Sequence, residues 1–228
     1  MTFENRYKKI AALLGEPVRA MMLWHLLDGR AYTAGELAIC ADTTPQSASN
    51  HLQKLLSAEL LVVEKQGRHR YYRLASPEVA YVVESIANLI PPEEKKSRKE
   101  QLPVTGHKYA RTCYDHLAGK AGVLLTEALV KKEILIPENE VFAVSEVGKQ
   151  WFSGLDIDVE VLRRKKRSFA RPCLDWSERK HHLAGALGAA LLDSMAARQW
   201  LRKKQGSREV IITSEGQSKL YGLLNINL

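Results

Sequence analysis

Cysteine is scarce in this chain. Its 228 residues contain three, Cys40, Cys113 and Cys173, too few and too scattered for the disulfide framework of a small secreted domain. Long apolar runs are also missing: nothing approaches the roughly 20 residues a membrane-spanning helix needs. The opening residues, MTFENRYKK, have no apolar signal-peptide core. The expectation is a cytoplasmic protein with reduced thiols and no membrane partner. Common catalytic signatures are absent as well, with no C-x-x-C, nucleophile elbow, phosphate loop or H-E-x-x-H. That favours a non-enzyme. Acidic residues are in the minority: 34 Lys and Arg face 26 Asp and Glu, a formal charge of +8 and a pI near 9.4. A polyanionic partner follows from that balance.

What is present begins with a run of helices. Glu4 to Leu14 places Ile10, Leu13 and Leu14 on one face, and Gly15-Glu16-Pro17 breaks it. Pro17 then opens a helix over Val18 to Asp28, ending near Gly29. Thr33-Ala34-Gly35-Glu36 is a capping box ahead of a short helix to Cys40. After the turn Asp42-Thr43-Thr44, Thr44 is placed to cap a further helix with Pro45 at its first position. Leu52, Leu55 and Leu56 form its apolar stripe, and Gln46, Ser47, Ser49, Asn50, His51 and Lys54 its polar face. Side chains of that length reach base edges or phosphates.

Two short strands follow, Leu60 to Glu64 and Arg70 to Leu74, with Gln66-Gly67 as the turn. This hairpin carries Lys65, Arg68, His69, Arg70 and Arg73. A capped helix with a polar face, then a cationic hairpin, is the order of a winged helix-turn-helix, in which the helix reads the major groove and the wing grips the backbone. The expected base readers are Gln46, Ser47, Ser49, Asn50 and His51, with Thr44 at the cap. Lys54, Arg68, Arg70 and Arg73 are expected on the backbone.

With EPVRAMMLWHLLDG and ELAICADTTPQSASNHLQKLLSAELLVVEKQGRHRYYRL in place, the first ninety or so residues resemble the ArsR-type (arsenical-repressor) winged-helix regulators. The resemblance implies a homodimer, paired through the first helix and the helix after the wing (Pro77 to Leu89), on a palindromic operator in double-stranded DNA. Three positions depart from it. Ala38 and Cys40 stand where metal-binding members carry a cysteine pair. The helix after the wing has no histidine and only Glu84 as a buried carboxylate candidate. Glu59 replaces the usual glycine, at a cost of about 1 kcal/mol if its φ is positive.

The reading thus divides the chain into a DNA-binding and dimerisation domain at 1–90, a linker at 91–107 and a sensor or regulatory domain at 108–228. Pro91 to Glu100 is polar and opened by two prolines. Arg111 to Leu224 contains one pattern twice. Arg111-Thr-Cys113-Tyr-Asp115 matches Arg171-Pro-Cys173-Leu-Asp175, and His116-Leu-Ala-Gly119-Lys-Ala-Gly122 matches His182-Leu-Ala-Gly185-Ala-Leu-Gly188. The second copy carries an insertion, Trp176 to His181. Ser145 and Thr213 are placed to cap a later helix in each copy. The expected fold is therefore mainly α with small β-hairpins (α+β). Its C-terminal part is two duplicated helix–strand–helix units about a pseudo-two-fold axis.

That axis would bring Cys113, His116, Cys173 and His182 together, with His181 as a substitute ligand. Four readings stay open: buried structural side chains, a redox or electrophile sensor using the two thiols, a site for zinc or another thiophilic metal, and a nearby pocket for a small-molecule effector. The cluster Arg163 to Arg167 is either a solvated linker between the copies or a source of extra phosphate contacts. The main functional expectation is a dimeric DNA-binding repressor released by a metal, an oxidant or a small molecule. Its competitor is a thiol- or metal-dependent enzyme with a DNA-binding appendage.

Overall fold

The computed structural model describes residues 2–90, 106–205 and 207–228, so the expected linker at 91–107 lies almost wholly outside the described residues. The chain divides into two compact units, Met1–Leu89 and Ile90–Leu228.

In the first unit, α1 (Phe3–Gly15) and α2 (Pro17–His25) are joined at Glu16, whose carboxylate caps α2 by accepting the backbone N–H groups of Val18 and Arg19. A single 3-10 turn, Leu26–Asp28, extends α2 and closes on Gly29 at φ 77°. β1 (Tyr32–Thr33) leads into α3 (Ala34–Cys40), and the Thr33–Glu36 capping box forms in full. α4 (Pro45–Ser57) starts on Thr44, whose hydroxyl accepts the Ser47 N–H. Glu59 does take φ 58°, at the end of α4 where glycine is the residue without a Cβ penalty. The wing pairs β2 (Leu61–Gln66) with β3 (His69–Leu74), and β1 adds to its other side. Its turn is Gly67-Arg68, one residue beyond the expected position, because Gln66 still pairs with His69. α5 (Pro77–Asn88) follows on a Ser76 cap. Met22, Leu23, Leu26, Leu37, Leu52 and Leu55 make the core.

The second unit corrects the expected helix–strand–helix pattern in detail: each repeat is hairpin–helix–hairpin–helix. The first copy runs β4 (Arg111–Cys113), β5 (His116–Ala118), α6 (Gly119–Lys131), β6 (Leu135–Glu138), β7 (Val141–Val144) and α7 (Glu146–Ser153). After a short α8 (Val159–Arg163), the second runs β8 (Arg171–Leu174), β9 (His181–Ala184), α9 (Gly185–Ala197), β10 (Leu201–Lys203), β11 (Val210–Ile212) and α10 (Ser214–Leu224). Ser145 and Thr213 cap α7 and α10 by accepting the N–H groups of Gly148 and Gly216.

The copies are interlocked rather than laid side by side. β5 packs on α9 of the other copy and β9 on α6. The Val210 N–H donates to the Ala110 carbonyl at 2.9 Å, and Phe142 to Ala170 at 3.1 Å, so the first hairpin of each copy meets the second hairpin of the other. One apolar core, including Leu117, Leu129, Phe152, Leu183, Leu187 and Leu220, serves both. No single helix among the described residues is long and apolar enough to cross a membrane.

Candidate nucleic-acid interface and a buried cysteine–histidine centre

The polar face of α4 is exposed at Thr44, Gln46, Ser49, Asn50 and Lys54, while Ser47 is half-buried. The Thr44 hydroxyl caps the helix, and one of the expected readers is partly committed elsewhere: the Ser49 hydroxyl donates to the Pro45 carbonyl at 2.9 Å. Gln46, Asn50 and Lys54 make no such local bond of their own among those described. Arg68, Arg70 and Arg73 are exposed on the wing together with Lys65 and His69.

His51 is half-buried and engaged within the unit. Its Nδ1 lies 3.3 Å from Glu16 Oε2 and 3.2 Å from Arg19 Nη1, at the junction of α2 and α4. Arg19 is itself buried and donates to the Leu13 and Ala12 carbonyls at the end of α1, groups that the helix leaves unpaired. Burial alone pushes the Glu16 carboxyl up, but the N–H groups of Arg19 and Val18 and the charges of His51 and Arg19 hold it below its ordinary value. Glu16, Arg19 and His51 thus fix α4 against α1 and α2. Helical periodicity puts His51 on the polar face; only partners from a distant turn reveal which way it is engaged.

In the second unit the repeated residues converge. Cys113 stands opposite His116 across β4–β5, and Cys173 opposite His182 across β8–β9. Each hairpin therefore presents one sulfur and one imidazole. One ligand atom from each of the four side chains lies within 4.8 Å of the other three, and all four residues are buried. His116 Nε2 and His182 Nε2 are 3.1 Å apart. His181 is not part of the centre: the alternation of β9 turns it to solvent, where it pairs with Leu174 across the strands.

Two carboxylates that sequence reasoning left out of the site stand behind the histidines. Asp115 Oδ1 is 3.3 Å from His116 Nδ1, and Asp175 Oδ2 is 3.4 Å from His182 Nδ1. Both occupy the same place in the repeat, two residues after the cysteine, and that was the available signal. Asp115 is also bonded to Arg167 at 2.6 Å. Asp175 accepts from Arg111 Nη2 at 2.9 Å, from the Gly119 N–H and from Ser177, with both partners of the ion pair buried. Burial pushes the Asp175 carboxyl up, yet His182, Arg111 and Ser177 more than reverse it and hold it well below the carboxylate range. For His182, burial works against the charged form, but bonds to Asp175 and Cys113 outweigh it and raise its pKa.

Space for the two imidazoles comes from glycine. A Cβ on Gly122 would meet the Leu117 carbonyl oxygen at 2.5 Å and the His182 Cβ at 3.5 Å. On Gly188 it would meet the Leu183 oxygen at 2.5 Å and the His116 Cβ at 3.2 Å. Each copy's helix makes room for the other copy's histidine. Of the basic cluster, Arg167 is drawn to Asp115, and Arg163 lies over the Phe169 ring at 4.5 Å. An open groove of about 900 Å³, bordered by Asp156, Asp158, Lys165, Asp193 and Arg198, runs beside α8 and α9.

A helix pair, an exposed polar helix and a basic hairpin in this arrangement define the first unit as a winged helix-turn-helix, a DNA-binding fold. A family model described as a helix-turn-helix domain matches residues 14–64. A Bacillus subtilis (strain 168) protein, the uncharacterised HTH-type transcriptional regulator YdfF, is 46% identical over 220 residues, covering 96% of this chain and 97% of that one. The chain belongs to the HTH-type transcriptional regulators.

Solved structures similar to it include the homodimeric winged helix-turn-helix DNA-binding domain of a possible ArsR-family transcriptional regulator from Mycobacterium bovis (24% identity, 36% of this chain, 76% of that chain, TM-score 0.34). The transcriptional repressor BigR from Xylella fastidiosa gives 22% identity, 41% and 100% coverage and a TM-score of 0.36. The cadmium metal-sensor CMTR from Mycobacterium tuberculosis gives 26% identity, 41% and 99% coverage and a TM-score of 0.32.

Proposed function

We propose that the protein is a homodimeric transcriptional repressor that binds a palindromic operator through α4 and the wing, and whose second unit sets its affinity for DNA. The observation that carries this reading is the exposed face of α4, with Gln46, Asn50 and Lys54 held next to a wing bearing Arg68, Arg70 and Arg73. Amide side chains at such positions pair with base edges, and arginines on a flanking hairpin neutralise phosphates.

Pairing through α1 and α5 is supported by what those helices expose. Phe3 is 82% exposed, Tyr7 66%, Ile86 46% and Leu89 82%. Large apolar side chains left in water on two helices mark a surface that a second copy would cover. Repression would follow from occupying the operator, and release needs only a modest coupling: about 1.4 kcal/mol between the two units changes DNA affinity tenfold.

The test is selection of binding sites from a random duplex pool, followed by a titration of the winning site. A two-fold symmetric consensus bound by two chains is expected, with transcription from a promoter carrying it falling when the protein is added. A consensus without symmetry, or transcription that rises, would require a different regulator.

A further inference from the structure

We infer that Cys113, His116, Cys173 and His182 form a closed four-coordinate site for a thiophilic metal ion, Zn²⁺ by its chemistry, which joins the two repeats of the second unit. The donor set is two thiols and two imidazoles, the mixture that suits tetrahedral zinc. The ligand atoms already lie together: with Zn–N of about 2.0–2.1 Å and Zn–S of about 2.3 Å, a tetrahedron has edges of roughly 3.3–3.8 Å. The 3.1 Å between the histidine Nε2 atoms and the 4.8 Å limit on all pairs bracket that range.

The orientation of the imidazoles points the same way. Each turns Nδ1 toward a carboxylate, His116 to Asp115 and His182 to Asp175. A carboxylate facing Nδ1 leaves Nε2 turned into the centre, and metal-binding histidines are oriented by this kind of partner. At 3.1 Å the two Nε2 atoms must share either a proton, as an N–H···N bond, or a metal ion, and the two sulfurs beside them supply the rest of a metal's ligand set.

Charge also closes. Zn²⁺ displaces one proton from each thiol to solvent, and the two thiolates balance the ion's two positive charges, so a neutral complex occupies the buried centre. Exposure of the four residues is between 1% and 8%, which leaves no open coordination position for a substrate. The site is structural. It lies outside the first unit and stands independently of the reading of DNA binding.

The experiment uses the full chain purified anaerobically without added metal. One zinc per chain is expected, with two thiols slow to react until a chelator is added and the third, Cys40, reacting at once. Apo protein refolded with Co²⁺ should show the intense visible bands of a tetrahedral ion together with a thiolate-to-cobalt charge-transfer band. Cys113→Ser and Cys173→Ser should each lower metal affinity at least tenfold, and Cys40→Ser should leave it unchanged. The cobalt spectrum is read on the unsubstituted chain, so it decides the matter even if the serine variants do not fold. Protein that lacks zinc and gives only the weak spectrum of octahedral Co²⁺ would overturn the assignment. So would a Cys113–Cys173 disulfide in the anaerobic protein, or zinc that persists when both cysteines are replaced.

Discussion

His116 and His182 meet ring nitrogen to ring nitrogen, 3.1 Å apart and 66 residues apart in sequence, from equivalent strands of two interlocked repeats. Neither is supported by its own copy alone. The helix beside each histidine belongs to the other copy, and a glycine of that helix clears the space.

The carboxylate behind one of these rings can be changed with little disturbance elsewhere. Asp115→Asn keeps the size of the side chain but loses the charge facing His116 and Arg167. If the centre binds zinc as inferred, affinity should fall about 10- to 100-fold. Competition with a chromophoric chelator measures it, and an unchanged constant would show that Asp115 serves only to hold Arg167.

Replacing Gly188 by alanine tests the packing. The added Cβ meets the Leu183 oxygen at 2.5 Å and the His116 Cβ at 3.2 Å, so backbone or imidazole must shift. Overpacking of this kind costs about 1–3 kcal/mol, and denaturant unfolding of the second unit should register it. A neutral result would mean that α9 slides freely on β5.

On α4, Asn50→Ala and Gln46→Ala should each weaken binding to the selected operator by about 1–3 kcal/mol and barely change binding to random duplex. Arg70→Ala on the wing should weaken both alike and reduce the slope of log affinity against log salt by about 1. Fluorescence anisotropy over a salt series separates the two patterns; identical behaviour of helix and wing variants would deny α4 its reading role.

Leu89→Glu places a charge on the exposed apolar end that follows α5. Sedimentation should show the dimer giving way to monomer, with operator affinity lost in parallel. A variant that remains dimeric would place the contact on another surface.

Glu16 gives a pH dependence. Its folded pKa is lowered, so the stability it contributes is present above the unfolded value of roughly 4.3 and is lost as pH falls through the folded value. Glu16→Gln should flatten the acid limb of the stability of the first unit as pH falls below the ordinary carboxylate range, read from urea unfolding at stepped pH. Parallel limbs would assign the acid sensitivity to other carboxylates.

The first unit was largely legible because its signals are local. Thr33 with Glu36, Thr44 with Pro45, and the leucine spacing of α4 each declare an element within a single turn of chain. The contacts of His51 were not legible, because a polar position on a helix does not reveal a partner such as Glu16 thirty-five residues away. In the second unit the repeat exposed the two cysteines and two histidines of the buried centre, but the hairpins stayed hidden. Strands as short as Arg111–Cys113 and His116–Ala118 span too few residues to display alternation, and that same lack kept His181 as a substitute for His182.

The reciprocal exchange of hairpins and helices gives the second unit the form of a two-fold homodimer whose halves share one chain. Each half alone carries one sulfur and one imidazole, which is half of the inferred coordination sphere. A gene encoding a single copy would yield a protein obliged to self-associate, face to face, to complete it. Fusion makes the pairing intramolecular, and it frees the two halves to diverge: one has already acquired Trp176 to His181, with Ser177 bonded to Asp175 and Trp176 under Arg111.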